Sequence, residues 1–265
     1  MLHLNELDQK IIKKQFEIFK PYGYTPKDVI DEIVIKTGSK KATFNGRLDP
    51  MACGCMLVYL DDACQLSKLD TNLGKIYRFK MALGVSSSSC DLLGYPVYDP
   101  MHATCFPAVE LKIVSFLTTL QNGYAQTLPS LSSFRVSNKE GITQPLWWWD
   151  KHNRLSEISV PTFDRKLFDF KINSVSGVSL TDLAQTAIER ISLINIKHTF
   201  NQAEILEEWR RLQKHADEKL VVFDIQVSVS SGFYVRKLVE DIGKHLCITT
   251  ITVEIERLAY FPTAS

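Results

Sequence analysis

Three residues of this chain stand where reactive groups are commonly held. Asp49 occupies the turn Asn45-Gly46-Arg47-Leu48-Asp49-Pro50, immediately before a short apolar run. A carboxylate on a loop braced by rigid elements can act as a nucleophile, and an Asp before Pro is equally a common turn residue. Arg236 follows a Ser-Ser-Gly turn at the start of an expected helix. That is the wrong end of the helix dipole for a cation, so an acidic partner would offset the cost. A surface Arg lying along its helix is the plainer reading. Tyr77, flanked by Lys75 and Arg78, reads by itself as a packed strand aromatic. Cys53, Cys55, Cys64, Cys90, Cys105 and Cys247 form no Cys-x-x-Cys pair and no His/Cys spacing suited to zinc. They read as free thiols of a reducing compartment, and no metal is expected.

The elements that must carry these residues follow from period and punctuation. Phe16-Glu17-Ile18-Phe19 reads as a strand ending at Lys20-Pro21. Thr25 is a good N-cap with Pro26 at the first helical position, Val29, Ile30, Ile33 and Val34 repeat at helical spacing, and Gly38 stops the helix. The apolar run from Cys55 to Leu60 reads as a buried strand, and residues 75–84 as another. Helices are expected at 108–120, 181–192 and 202–215. Residues 121–175 look less regular and contain the triplet Trp147-Trp148-Trp149, read as a partly buried aromatic cluster. Phe223, Ile225, Val227 and Val229 alternate with polar residues as a half-buried strand. A helix over Phe233–Leu246 and a strand through Ile251, Val253 and Ile255 follow. Strand, helix and strand in one stretch point to mixed α/β architecture with helices packed on a sheet.

Composition sets the outer bounds. The 265 residues are 45% hydrophobic and 23% charged, which excludes global disorder, collagen and coiled coil. No apolar run approaches the roughly 20 residues needed to span a bilayer, and no signal core is seen. The formal net charge is +1, so a globally basic nucleic-acid binder is not indicated. Charge is unevenly spread, however: residues 1–90 hold 13 basic and 10 acidic side chains, residues 181–265 hold 10 and 12. Any polyanion is therefore expected at the N-terminal third.

Taken together, the segments resemble the TruB family of pseudouridine synthases. Lys20-Pro21-Tyr22-Gly23-Tyr24-Thr25 is similar to the family's opening K-P-x-G-x-T-S, and Gly46-Arg47-Leu48-Asp49-Pro50 through Leu57 to its G-T-L-D-P-x-A-x-G-x-L catalytic loop. Lys75-Ile76-Tyr77 resembles K-x-Y. Leu83-Gly84 and Asp91-Leu92-Leu93-Gly94 resemble L-G-x and D-x-x-G. Gln126 to Arg135 is similar to Q-x-P-P-x-[YF]-S-A-x-K, and Ser231 to Gly243 to K-G-T-Y-I-R-x-L-x-x-D-I-G. Arg257-Leu258 falls at the closing R-L pair. The ordered set runs from about Phe16 to Leu258, nearly the whole chain.

The resemblance implies an α+β fold with a central, mixed but mostly antiparallel sheet, flanked by helices and holding a catalytic cleft. It implies isomerisation of uridine in RNA, with the tRNA T-loop (uridine-55) as substrate and no cofactor. Asp49 would be the essential carboxylate, Arg236 its ion-pair partner, and Tyr77 the ring stacked on the flipped uracil. Lys20, Phe44, Arg47, Asp91, Tyr234 and Leu258 are the expected substrate-binding positions, Leu258 lining the uracil pocket. Lys40, Lys41, Lys75 and Arg78 are the expected RNA-binding residues, in a basic rim around the cleft. Asp49 and Arg236 are expected within about 6 Å, the range of strong mutual influence.

Three departures from the family pattern matter. Thr43-Phe44 stands where the family has Gly-His, and Phe44 could fill similar stacking space without the polar contacts. Ser130 replaces the second Pro of P-P. The chain stops seven residues after Leu258, where bacterial and archaeal relatives carry a PUA domain. One catalytic domain over 1–265 without that addition is therefore expected. A monomer inside the cell, cytoplasmic rather than membrane-bound, fits this reading, with nucleus and organelle left open. Alternatives are another RNA substrate, such as mRNA or organellar rRNA, and an RNA-binding or chaperone module with weakened catalysis.

Overall fold

The structure is a computed structural model that describes residues 14–100, 106–195, 197–198, 200–214 and 218–263. Cys105 lies outside the described residues. Among the described residues, thirteen strands and six α-helices follow one another along the chain. Strand β1 (Gln15–Lys20) leads to helix α1 (Pro26–Thr37), then β2 (Ala42–Asn45), β3 (Ala52–Leu60) and β4 (Gly74–Leu83). Short strands β5 (Val85–Ser87) and β6 (Pro96–Tyr98) precede α2 (Phe106–Leu120). Then follow β7 (Tyr124–Thr127), β8 (Arg135–Ser137), β9 (Thr143–Pro145), α3 (Leu146–Lys151), β10 (Thr162–Arg165) and β11 (Leu167–Ser179). The chain continues through α4 (Leu180–Ser192), α5 (Gln202–Leu212), β12 (Lys219–Val229), α6 (Val235–Leu246) and β13 (Thr250–Phe261).

The local signals act as expected at α1. Thr25 accepts from the Asp28 amide while the Asp28 carboxylate accepts from the Thr25 amide, a reciprocal cap that satisfies otherwise orphaned donors. Gly38 closes the helix at φ 67. Val29 and Ile33 are then buried against Phe16 of β1 and Met56, Val58 and Leu60 of β3.

Seven strands form the central sheet in the order β1-β3-β13-β4-β12-β11, with β2 also paired to β3. Its pairs are antiparallel except β13 with β3. This is the mixed, mostly antiparallel sheet that the family resemblance implies. Period-two alternation divides its side chains between two cores. Tyr77, Phe79, Met81, Phe223, Ile225 and Val227 face helices α2 and α6. Ala82, Leu220, Val222, Ile251 and Val253 pack with Leu183, Ala187, Ile205 and Trp209 of α4 and α5.

The region 121–175 is where sequence and structure differ. It holds most of β11, a 13-residue strand at the sheet edge, and it also carries β7, β8, β9 and β10. The Trp triplet divides: Trp149 is fully buried and donates Nε1–H to the Val136 and Gln144 carbonyls, whereas Trp147 is exposed. The helix expected over 202–215 ends at Leu212, and the strand expected from Cys55 begins three residues earlier, at Ala52.

Candidate active site

A cleft of about 470 Å³ opens on the α6 side of the sheet. Its walls come from four places in the sequence: the loop Phe44–Asp49, Lys75 and Tyr77 on β4, Ser132 and Ser133 after β7, and Ser231–Arg236 leading into α6. Ala52 of β3, Ser67 and Ile255 of β13 complete the lining.

Arg236 and Asp49 meet at its base. Arg236 Nη2 lies 2.8 Å from Asp49 Oδ2, although 187 positions separate them, well inside the expected 6 Å. The guanidinium is buried, the carboxylate one-third exposed toward the cleft. Arg236 Nη1 donates to the Ser89 carbonyl at 2.9 Å, and Nε lies 3.6 Å from Asp91 Oδ2. Asp91 is itself held by the Ser89 hydroxyl at 2.6 Å and the Leu93 amide at 3.0 Å. Burial alone would pull Arg236 down, but the charges of Asp49 and Asp91 outweigh it and hold the guanidinium above its ordinary value. Burial pushes the Asp91 carboxyl up, opposed by Arg236 and Ser89. The result is a fork-shaped cation locked between two carboxylates, with only Asp49 facing the cleft.

The loop carrying Asp49 is held at both ends by one side chain. Arg257, 1% exposed, donates Nη1–H to the Gly46 carbonyl at 3.0 Å and Nε–H to the Cys55 carbonyl at 2.7 Å. Gly54, at φ +114, lets β3 approach β13 closely: a Cβ there would sit 2.3 Å from the Arg257 carbonyl oxygen. A third tie comes from the turn after β1, where the Gly23 amide donates to the Pro50 carbonyl at 2.9 Å. Lys20 organises that turn by donating to the Pro21 and Tyr24 carbonyls at 3.0 and 2.7 Å. Its ammonium is fully buried, and burial lowers it to about 8.

The opposite wall is built around Tyr77, Tyr234 and Lys75. Tyr77 is 6% exposed and pairs in register with Arg257 and Val227. Tyr234 caps α6, and Gln126 clamps its backbone by accepting from the Tyr234 amide at 2.8 Å and donating to its carbonyl at 3.0 Å. Burial, then the charge of Asp49, raises the Tyr234 hydroxyl. Lys75 is 3% exposed and donates to the Leu73 carbonyl at 2.9 Å and the Ser231 hydroxyl at 3.3 Å. Burial, then the neighbouring Arg257 and Arg165 charges, lowers it to about 8.

Of the residues singled out from sequence, Asp49, Tyr77, Arg236, Phe44, Arg47, Tyr234 and Lys75 line this cleft or its base. Others do not. Arg78 projects from the other face of β4, as alternation requires, and forks onto Asp224 at 2.6–3.0 Å. Leu258 sits at an irregularity in the β13 ladder, exposed and off the cleft lining, where Ile255 takes the wall position instead. Asp91 lies beneath Arg236 rather than on the surface of the cleft, and Lys20 holds the adjoining turn. Lys40 and Lys41 are exposed beyond the far end of β2, their amides held by the Asp61 carboxylate at 2.9 and 3.2 Å. Of the four residues expected in the basic rim, Lys75 lines the cleft and Lys40, Lys41 and Arg78 are not part of its lining. Sequence reasoning missed Ser132, Ser133, Ser231 and Ile255 as lining, and Gln126 and Arg257 as braces. Gln126 and Arg257 both fall within the family-like motifs, where they were assigned no task.

The cleft thus holds one carboxylate against a buried guanidinium at its base, with a tyrosine in its lining. Comparison with known proteins is specific. The sequence model of the TruB family pseudouridylate synthase (N terminal domain) matches residues 35–178, more than half of the chain. This chain belongs to the TruB family. It is 34% identical over 115 residues to tRNA pseudouridine synthase B of Thermotoga maritima, covering 43% of this chain and 36% of that protein. It is 25% identical over 243 residues to tRNA pseudouridine synthase B of Aquifex aeolicus, covering 91% of this chain and 66% of that one. The chain thus spans about one third to two thirds of the length of these relatives. The crystal structure of a Cbf5-Nop10-Gar1 complex shares the fold at a TM-score of 0.54 and 16% identity, over 93% of this chain and 48% of that one.

Proposed function

We propose that this chain is an RNA pseudouridine synthase that isomerises the T-loop uridine of tRNA, uridine-55. The observation that carries the reading is the 2.8 Å pair of Asp49 and Arg236 at the base of a cleft walled by Tyr77. A target base stacked in a loop cannot reach Asp49, so the nucleotide is turned out into the cleft. Arg236 keeps the carboxylate charged and aimed, and Asp49 attacks at the ribose as the N1–C1′ bond breaks. The freed uracil rotates against Tyr77, and C5 bonds to C1′ as the Asp49–C1′ bond breaks and the carboxylate is released. C5 gives up its proton and N1 gains one, so atoms and electrons balance within the nucleotide. No cofactor is needed for such a step. Phe44 fills the stacking space that the displaced base leaves, and Arg47, exposed at the mouth, meets the phosphate backbone. Lys40 and Lys41 extend that backbone contact along the same edge. The whole of 1–265 works as one catalytic domain, as a monomer, inside the cell where its RNA is. No helix among the described residues is long and apolar enough to cross a membrane.

The test is tritium release from tRNA transcripts carrying [5-³H]uridine, with a second transcript in which the T-loop target is cytidine. Release from the first and not the second, abolished by Asp49→Asn in a protein that still binds the transcript, is the expected result. Release that persists near the wild-type rate in Asp49→Asn removes Asp49 from its role. Equal release from both transcripts moves the substrate to another uridine, and binding without release makes the chain an RNA-binding module.

A further inference from the structure

The cleft is electrically lopsided. Its base holds Arg236 between two carboxylates, Asp49 and Asp91. The Ser231–Gly232 side holds cations without such partners. Lys75 is buried, its ammonium beside the Ser231 hydroxyl, and among the described residues no carboxylate lies within ion-pair distance of it. Arg165, from β10, lies on the far side of the same turn: Nε donates to the Gly232 carbonyl at 3.0 Å, and its guanidinium rests 4.8 Å over the Phe163 ring. Behind them, Arg257 Nη2 is buried with no hydrogen-bond partner. A Cβ on Gly46 would come within 3.0 Å of both Arg257 Nη1 and Lys75 Cε, so these two cations share one small space beside the cleft.

Buried charge without a counter-charge is expensive to keep. Folding stability alone gives no reason for it here, because an apolar side chain would fill the Lys75 position at less cost. An anion arriving from outside would supply the missing charge. The proposed substrate brings one to this place: the phosphates flanking a nucleotide are bonded to the ribose that Asp49 must reach. Resting on that reading, we propose that the Ser231–Gly232 turn, flanked by Lys75 and Arg165, seats a phosphodiester adjacent to the isomerised nucleotide. Ser231 offers its hydroxyl, Lys75 its third N–H and Arg165 the edge of its guanidinium. Arg257 contributes charge from behind without contact. Seated there, the phosphate supplies the counter-charge that Lys75 lacks and fixes the ribose along the line from Asp49. Lys75 is in this account a binding residue for the backbone, distinct from the outer contacts at Arg47, Lys40 and Lys41.

The experiment is a charge scan read by binding, so it does not depend on turnover. T-arm hairpin RNAs are made with one neutral methylphosphonate linkage, placed 5′ to the target uridine, 3′ to it, or in the stem. Their affinities are measured for wild type, Lys75→Met and Arg165→Gln. One target-flanking methylphosphonate is expected to weaken wild-type binding about tenfold, the loss of one charge-assisted contact, and to weaken Lys75→Met binding less than about twofold. Arg165→Gln, whose side chain is only partly buried, carries the same comparison should Lys75→Met fold poorly, and the wild-type scan needs no variant. A flanking linkage no more sensitive than the stem one overturns the seat. So does a penalty of equal size in wild type and both variants. Normal binding penalties with no tritium release would instead sink the isomerase reading while leaving the seat in place.

Discussion

Strand β4 treats charge in opposite ways on its two faces. On one, Arg78 forks onto Asp224 at 2.6 Å and Lys80 meets Glu254 at 2.9 Å, which also takes Arg190 at 2.6 Å. Asp224 pulls Arg78 up and is itself held below its ordinary range first by Arg78. On the other face, Lys75 is buried beside the cleft, bonding a carbonyl and a hydroxyl and lying 5.8 Å from the Tyr260 ring centre, with no carboxylate at ion-pair distance among the described residues. The half-exposed face has closed its accounts within the protein. The buried face has not, although burial makes the omission costlier. Unpaired charge in a protected place is thus a better pointer to a ligand than a count of surface lysines, and it separates Lys75 from Arg78, three residues on.

The comparison is broken most forcefully at Arg236, the cleft cation set between two carboxylates. Arg236→Gln leaves Asp91 buried without a counter-ion and Asp49 without its guide. A loss of about 3–5 kcal/mol of stability is expected in urea unfolding at neutral pH, with isomerisation lost as well. A variant as stable as wild type would show that the Asp91 carboxyl is neutral in the folded protein.

Lys75→Met sharpens it in the other direction. With its ammonium lowered to about 8 from 10.5, Lys75 binds fewer protons folded than unfolded between those values. Its charged form therefore costs stability below pH 8, and the cost is relieved as pH rises toward 10.5. Wild type is expected to gain on Lys75→Met by on the order of 2 kcal/mol between pH 7 and 10, measured as the difference between paired urea curves without RNA. A difference that is flat in pH would mean that the lysine is already compensated within the protein.

The smallest effect belongs to Arg78→Gln. Its own side chain is 50% exposed, and the 5% exposed Asp224 keeps the Asn173 amide as a partner, so a stability loss on the order of 1 kcal/mol is expected. RNA affinity and its salt slope are expected to stay at wild-type values in the same hairpin assay. A shallower slope would return Arg78 to the RNA surface.

The catalytic loop and the turn into α6 were legible because each sits between a strong turn signal and a clear period. Gly46 to Pro50 leads into the apolar run of β3, and Ser231-Gly232 leads into Val235, Leu238, Val239 and Ile242 at helical spacing. Their meeting across 187 positions was legible only through family resemblance, since spacing says nothing about which distant residues touch. Strand β11 escaped notice because an edge strand with mostly exposed side chains needs no alternation: Lys171-Ile172-Asn173-Ser174-Val175-Ser176-Gly177 shows none. Leu258 was misplaced because a ladder irregularity beside it resets which residues face the cleft, and periodicity cannot register that shift. The buried cations were unreadable for a related reason. A strand reading puts Lys75 at a period-two position but cannot say that Arg257 and Arg165 converge on it.

Strands β3 and β4 follow one another in sequence yet do not touch, because β13 lies between them. A growing polypeptide that has emerged only as far as α6 thus has two open sheet edges at its centre, the most adhesive state a sheet can present. It also lacks the guanidinium of Arg257 that ties Gly46 to Cys55. The tie spans about 200 residues, so it forms late, as contacts of such long range do. The Asp49 loop is consequently synthesised early and tied down last. A chain that has not yet formed β13 carries Asp49 on an unstapled loop, with the cleft incomplete.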